Sequence, residues 1–392
     1  METARTPEQS GSSPPPGDAA PPRRSLAPDL ARGVMLLVIA TAHAHMFAQM
    51  SGAPGGGIAD AWDRIATGTM ALFADLRGYP MFAALFGYGL ARIHRRRTEQ
   101  GQDWPRTRRL LRRRGLWMAA FGAVHAVLLF FGDILAVYGV LALVFTGALR
   151  LSDRGLLRAA WAALAVVTAS LLAFGLALPA GAKPEIPEGV TAELFFRLSM
   201  WPFLLVFMLF ATAFPFLVGM WAGRRRLLER PGPYLPLLRR TAAIGVPVAV
   251  AGGLPQALVL TGAWTPPSLP VAALVSTLHQ VSGFAGGFGY AALIALAAAR
   301  ISARGPGPVT TALAALGRRS LTFYLLQSVA WAALFASYGF GLEVSTAAGV
   351  AIGAAVWAVT VALAGLMHRA GMSGPAETAL RRLAYGPSGR AD

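Results

Sequence analysis

The 392-residue chain has no cysteine. That excludes disulfides, haem thioether attachment and thiolate metal sites, and leaves any exported loop without a covalent staple. Its six histidines are scattered and none falls in an HExxH pattern, so no metal centre is expected. A Walker motif and a dinucleotide fingerprint are also missing, which argues against ATP-driven transport by this chain alone. Acids are scarce, 18 against 35 Lys and Arg, for a net charge of +17. Finally, no polar stretch is long enough to form a soluble domain, so any chemistry or transport has to use the apolar part of the chain itself.

What is present is apolar length. Hydrophobic residues make up 55% of the sequence. In a soluble chain this basic balance would point to nucleic acid; here the charge sits in short loops beside apolar runs, so no nucleic acid is expected and anionic inner-leaflet lipid is the expected partner of the arginines. Runs of roughly 17 to 25 apolar residues, the length that crosses about 30 Å of hydrocarbon, fall near 30–50, 77–93, 114–132, 133–150, 156–178, 195–222, 240–262, 270–299, 320–337 and 345–367. Ten crossings with the N-terminus inside put 31 of the 35 basic residues on the cytoplasmic side, leaving Arg64, Arg77, Lys183 and Arg197 outside. By the positive-inside rule both termini are then cytoplasmic. The expected fold is an all-α, polytopic transmembrane helix bundle in the cell membrane.

Residues 1–27 are rich in Pro, Ser, Gly and Ala and read as a disordered cytoplasmic tail, followed by one transmembrane domain over 28–386 and a short tail at 387–392. Within the domain, 28–150 forms an N-terminal part. The stretch 51–76, with Gly55-Gly56-Gly57 and Asp60, Asp63, Arg64 and Asp75, reads as an outer loop carrying a short interfacial helix around Trp62 to Phe73. Another outer loop spans 179–194. The segment 92–114 holds ten arginines and is the strongest topological anchor.

Ionisable groups inside a membrane cost roughly 2.5 to 3.5 kcal/mol each when charged and are functional candidates by default. Arg32 and His43, eleven residues apart on the first span, fall within about 20° of each other around the helix and about 16 Å apart along it. His45 lies a further 200° around, pointing nearly opposite. His43 is therefore the candidate base or proton relay. Arg32 reads either as an ion-pair partner of Asp29 and a snorkelling anchor or as a fixed cation for an acyl donor. Asp133 at the Gly132-Asp133 hairpin tip reads as the N-cap of the fourth span or as the carboxylate orienting His125, eight residues earlier. Arg77 with Asp75 would complete an outer polar cluster. His279 lies in a polar run of the eighth span, ahead of the Gly283/Gly287 pair, whose GxxxG spacing predicts close helix packing. Gln327, beside Tyr324 and Ser328, reads as interhelical glue and a candidate substrate contact.

Several ordered stretches resemble the YeiB-like family of bacterial inner-membrane proteins, of unknown function: Leu30-Ala31-Arg32-Gly33-Val34, Leu85-Phe86-Gly87-Tyr88-Gly89, Gly132-Asp133-Ile134-Leu135-Ala136-Val137-Tyr138-Gly139, the run Gly317 to Ser328, His368-Arg369 and Gly374-Pro375-Ala376-Glu377. The resemblance covers about 28–386, with a C-terminal family domain at about 195–386. It implies a distant relation to membrane acyltransferases of the heparan-glucosaminide acetyltransferase type, and the Arg32 to His43 spacing is similar to that of the acyltransferase-three proteins, where such a histidine is implicated in acyl transfer. One departure is His43 itself, where many YeiB-like sequences carry Asn. The first functional expectation is thus an acyltransferase passing an acyl group from a cytoplasmic thioester, acyl-CoA as co-substrate, to an envelope sugar or lipid, with His43, His125 and Asp133 as catalytic groups and Arg32, Arg77, His279 and Gln327 as binding groups. The alternatives are a transporter of a lipid-linked or small amphipathic substrate lined by His279 and His43, and an assembly protein without chemistry.

Overall fold

The computed structural model describes residues 25–50, 58–177, 187 and 189–386. Most of the expected N-terminal tail, the Gly55-Gly56-Gly57 run, Lys183, Glu185, Glu188 and the tail at 387–392 lie outside the described residues. Those described form thirteen α-helices and no strand: α1 (Leu26–Met50), α2 (Ala61–Phe73), α3 (Gly78–Glu99), α4 (Trp104–Leu128), α5 (Leu135–Phe145), α6 (Asp153–Ala177), α7 (Val190–Arg224), α8 (Leu235–Leu260), α9 (Leu269–Arg304), α10 (Pro308–Arg318), α11 (Ser320–Phe335), α12 (Thr346–Arg369) and α13 (Pro375–Tyr385).

Among the described residues, six helices, α1, α6, α7, α8, α9 and α12, are long and apolar enough to cross a membrane. Together with the composition they support a membrane protein. The helix α5, which runs on into a 3-10 turn at Thr146–Arg150, and α11 are apolar but shorter. The helices differ in how they are surrounded. In its most apolar window α1 is 61% buried, whereas α6 and α12 are 17% buried. A helix apolar all round and wrapped by others is central; one left apolar on its outer face meets lipid. The first helix is therefore the axis of the bundle, with α9, α10, α11 and α12 packed around it.

Two glycines set the distance between α1 and α10. A Cβ built on Gly33 would lie 2.1 Å from the Leu313 carbonyl oxygen, and one on Gly317 would lie 1.7 Å from that of Asp29. Both obstacles are backbone, so the two helices touch main chain to main chain. The C-terminal helix closes the same end: Glu377 of α13 accepts from the N–H groups of Leu321 and Thr322 (2.7 and 3.2 Å) and from the Thr322 hydroxyl (2.5 Å). A carboxylate on these orphan donors is a cap supplied from another helix.

The helix expected around Trp62 to Phe73 exists, but it does not lie flat at an interface. Its N-terminal end sits at the start of α12, where the Ala347 N–H donates to Asp63 at 2.8 Å. Its C-terminal end reaches the middle of α9, where the Tyr290 hydroxyl donates to the Phe73 carbonyl at 2.8 Å. It thus descends along the bundle for about 20 Å, at 1.5 Å per residue. The chain then turns through Ala74 to Arg77, with Leu76 in the left-handed region (φ 61°), and continues as α3. This break is seated on α9 by its glycines. A Cβ on Gly283 would meet the Leu76 oxygen at 2.4 Å, and one on Gly286 would meet Arg77 Cγ at 2.9 Å. Gly283 and Gly287 therefore accommodate a turn and the start of α3, where the GxxxG spacing had suggested ordinary helix pairing.

Asp63 fastens this re-entrant piece. It forms a capping box with Asp60 and also accepts from Ala59 N (2.9 Å) and Ala347 N. Burial pushes its carboxyl up, but the N–H donors of Ala347, Ala59 and Asp60 and the Ser345 hydroxyl outweigh that and hold it below the ordinary carboxylate value. A carboxyl depressed by folding stabilises the fold fully above its unfolded value of about 3.9, and loses that contribution as the pH falls through the folded value. Asp63→Asn is expected to lower thermal stability in detergent at pH 7 and to flatten the loss of stability between pH 5 and pH 2. A variant that keeps the wild-type acid limb would assign that limb to other carboxyls.

Candidate functional site

The two histidines of α1 point to opposite sides of the helix, as their 200° separation requires, and each meets its own polar cluster. His43 faces α4, α11 and the α4–α5 turn. Its ring lies 4.6 Å from that of Phe130 and 6.4 Å from that of Tyr324, and the His125 ring is 5.0 Å from that of Tyr324, centre to centre. His43 is only half-buried although it stands at the axis of the bundle.

Behind it lies a linear chain of three groups. His125 Nδ1 is 2.8 Å from Asp133 Oδ1, and His125 Nε2 is 2.8 Å from Ser328 Oγ. All three residues are at most 2% exposed. A carboxylate only accepts, so the imidazole proton belongs on Nδ1 and Nε2 is left as the acceptor. The single Ser328 proton has two acceptors in reach, Nε2 at 2.8 Å and the Tyr324 carbonyl at 3.2 Å, and the shorter contact goes to the imidazole. The second oxygen of Asp133 accepts from the Ala136 N–H at 2.6 Å. The N-cap position of α5 is Ile134, one residue later than expected, and Asp133 reaches past it to the first turn with one oxygen while the other meets His125. The geometry depends on Gly122, since a Cβ there would stand 2.4 Å from Asp133 Oδ2 and 2.0 Å from Ala136 N.

The opposite face of α1 carries the second cluster. His45 Nε2 is 3.1 Å from Gln49 Nε2 and 3.9 Å from Asp75 Oδ2. Arg77, expected with Asp75 in an outer polar cluster, is fully buried, and the α2–α3 break places it between α8 and α9. Its guanidinium donates to the Asp75 carbonyl (2.6 Å) and the Ala249 carbonyl (2.7 Å) and lies 3.1 Å from His279 Nδ1. No ion pair of Arg77 is found among the described residues. His279 accordingly serves Arg77, on the other side of α1 from His43.

The remaining candidates divide. Arg32 pairs with Asp29 at 3.7 Å and keeps 28% of its side chain accessible. Gln327 Nε2 reaches Thr360 Oγ1 on α12 at 3.4 Å, an interhelical bond of a kind that contributes about 0.6 kcal/mol. A third cluster went unseen as a unit in the sequence. Arg197 pairs with Glu193 (2.5 Å) and donates to the Tyr338 hydroxyl oxygen (2.9 Å) and the Leu128 carbonyl (3.0 Å), while Glu193 accepts from Ser337. The i,i+4 spacing of Glu193 and Arg197 was the available signal. Among the described residues no group of three or more His, Asp or Glu side chains could hold a metal ion.

Residues 222–387 match the model of a family described as a protein of unknown function, DUF418. The match supports a family of unknown function for that part of the chain. It takes in Tyr324, Gln327 and Ser328 and leaves out His43, His125 and Asp133. No curated protein matches the chain.

Proposed function

We propose that this chain is a membrane acyltransferase, moving an acyl group from a cytoplasmic thioester donor such as acyl-CoA to a sugar or lipid acceptor at the other face. The observation that carries the reading is the Asp133–His125–Ser328 chain of hydrogen bonds on the side of α1 that carries His43. Buried polar groups in an apolar bundle are costly, and a carboxylate orienting an imidazole whose other nitrogen meets a hydroxyl is the acid–base arrangement used for acyl transfer. His43 and His125 supply bases at the depth where both faces can be served, and Asp133 fixes the tautomer of His125. Arg32 supplies a cation on the donor side. The YeiB-like resemblance and its acyltransferase relatives support the same reading, within a ten-crossing topology in the cell membrane with both termini cytoplasmic.

The expected anionic lipid has a seat of matching chemistry. Arg108, Arg109, Arg112 and Arg113 line a groove of about 590 Å³ whose remaining walls include Leu116 and Leu143. Guanidinium groups one turn from lipid-facing leucine suit an anionic headgroup with its chains alongside.

A transporter is the second reading, and one observation favours it. The non-helical backbone from Ala74 to Arg77 packs against α8 and α9, with Arg77 buried and the three residues before it partly so. Broken helices at such depth are tolerated where protein encloses them and recur at transporter binding sites. Comparative mass spectrometry of envelope glycans and lipids from wild type, deletion and His43→Ala strains separates the two. The acyltransferase reading expects one acylated species lost in both mutants; acyl profiles unchanged across all acceptor classes, with proton-coupled flux persisting in donor-free proteoliposomes, would establish the transporter instead.

A further inference from the structure

Resting on the acyltransferase reading, we infer that Ser328 is the nucleophile of the reaction and carries the acyl group as an ester between donor and acceptor. Two observations converge on it. Ser328 Oγ is 2.8 Å from a bare imidazole nitrogen whose partner nitrogen is held by a carboxylate at 2.8 Å. It stands on α11 one turn after Tyr324, whose ring centre lies 5.0 Å from that of His125 and 6.4 Å from that of His43.

The step balances. The Ser328 oxygen attacks the thioester carbonyl as its proton passes to His125 Nε2, forming the O–C bond. The C–S bond breaks, and the proton on Nε2 goes to the departing sulfur, which leaves as a thiol. In the second half an acceptor hydroxyl attacks the ester carbonyl as its proton passes to His125 Nε2; the bond from carbonyl carbon to Ser328 Oγ breaks, and that proton returns to the serine oxygen. Asp133 acts through His125 as a positioning residue. A covalent relay also answers a problem of place. Donor and acceptor on opposite faces need never meet, because the ester waits at mid-depth while one leaves and the other enters.

The test uses the full chain in liposomes, incubated in turn with acetyl-, octanoyl- and palmitoyl-CoA and digested for mass spectrometry. An acyl ester on the peptide containing Ser328 is expected, absent in Ser328→Ala and formed about 100-fold more slowly in Asp133→Asn. Ser328→Cys should carry the group as a hydroxylamine-labile thioester. Equal thermal stability of the two Ser328 variants guards against misfolding as the cause. Acylation of His43 in place of Ser328, or no ester with any donor while the envelope species still depends on the protein, would overturn the serine step and leave acyl transfer standing. Absence of both the ester and the envelope species would remove the two together.

Discussion

Replacing Asp133 with asparagine should cut acyl transfer by about 10² to 10⁴-fold while leaving the fold nearly intact. The amide oxygen can still accept from the Ala136 N–H, now 2.6 Å from Asp133 Oδ2, so the first turn of α5 keeps that bond. The amide nitrogen then faces His125 Nδ1, and a donor there forces the imidazole proton onto Nε2. That nitrogen can no longer accept the Ser328 proton across the 2.8 Å contact. The predicted variant is folded, binds donor, and fails in the chemical step, so its loss belongs to the rate at saturating donor, with little change in donor affinity. A variant with the wild-type rate would show that the three-residue chain is structural only.

The largest stability effect is expected from Gly317→Ala. The added methyl would be placed 1.7 Å from the Asp29 carbonyl oxygen, a backbone atom that no rotamer change can move aside. Overpacking of this kind costs about 1 to 3 kcal/mol or more, and here relief requires α10 to separate from α1. Because α1 also carries His43, the loss should extend to activity. Thermal aggregation in detergent reads the first effect. Gly365→Ala is the matched control on a neighbouring helix, its nearest contact being Ala312 at an ordinary 3.6 Å. It is expected to be neutral or slightly stabilising, since alanine is the better helix former. Equal melting of the two variants would mean that α1 and α10 do not pack main chain to main chain.

How far the sequence could be read depended on whether the determinant was local. Helix periodicity alone separates His43 from His45 by 200°, and they do occupy opposite faces. The eight-residue spacing of His125 and Asp133 across a hairpin tip brings two named groups together, and they meet at 2.8 Å. Ser328 is 203 residues from His125 in the chain, and nothing local marks it as the third member. The α2–α3 break shows the other limit. A short helix with Trp62, Ile65 and Phe73 exposed reads as interfacial, and only the long-range contacts of Phe73, Leu76 and Arg77 with α9 show that it descends along the bundle. Apolar surface facing lipid and apolar surface facing a headgroup layer have the same composition, so depth is not encoded in the residue types. The same holds for Gly283 and Gly287, whose spacing is indifferent to whether a helix or a turn approaches them.

The proposed chemistry requires that the polar site at the axis of the apolar bundle admit the donor at His43. Because the chain has no cysteine, His43→Cys can be studied without background. In liposomes this variant is expected to react with a small charged thiosulfonate reagent and to be protected by acyl-CoA, whereas Ala40→Cys, at a position with no exposed surface, should stay unmodified. A position 43 as inert as position 40, or one whose labelling acyl-CoA leaves unchanged, would contradict the account.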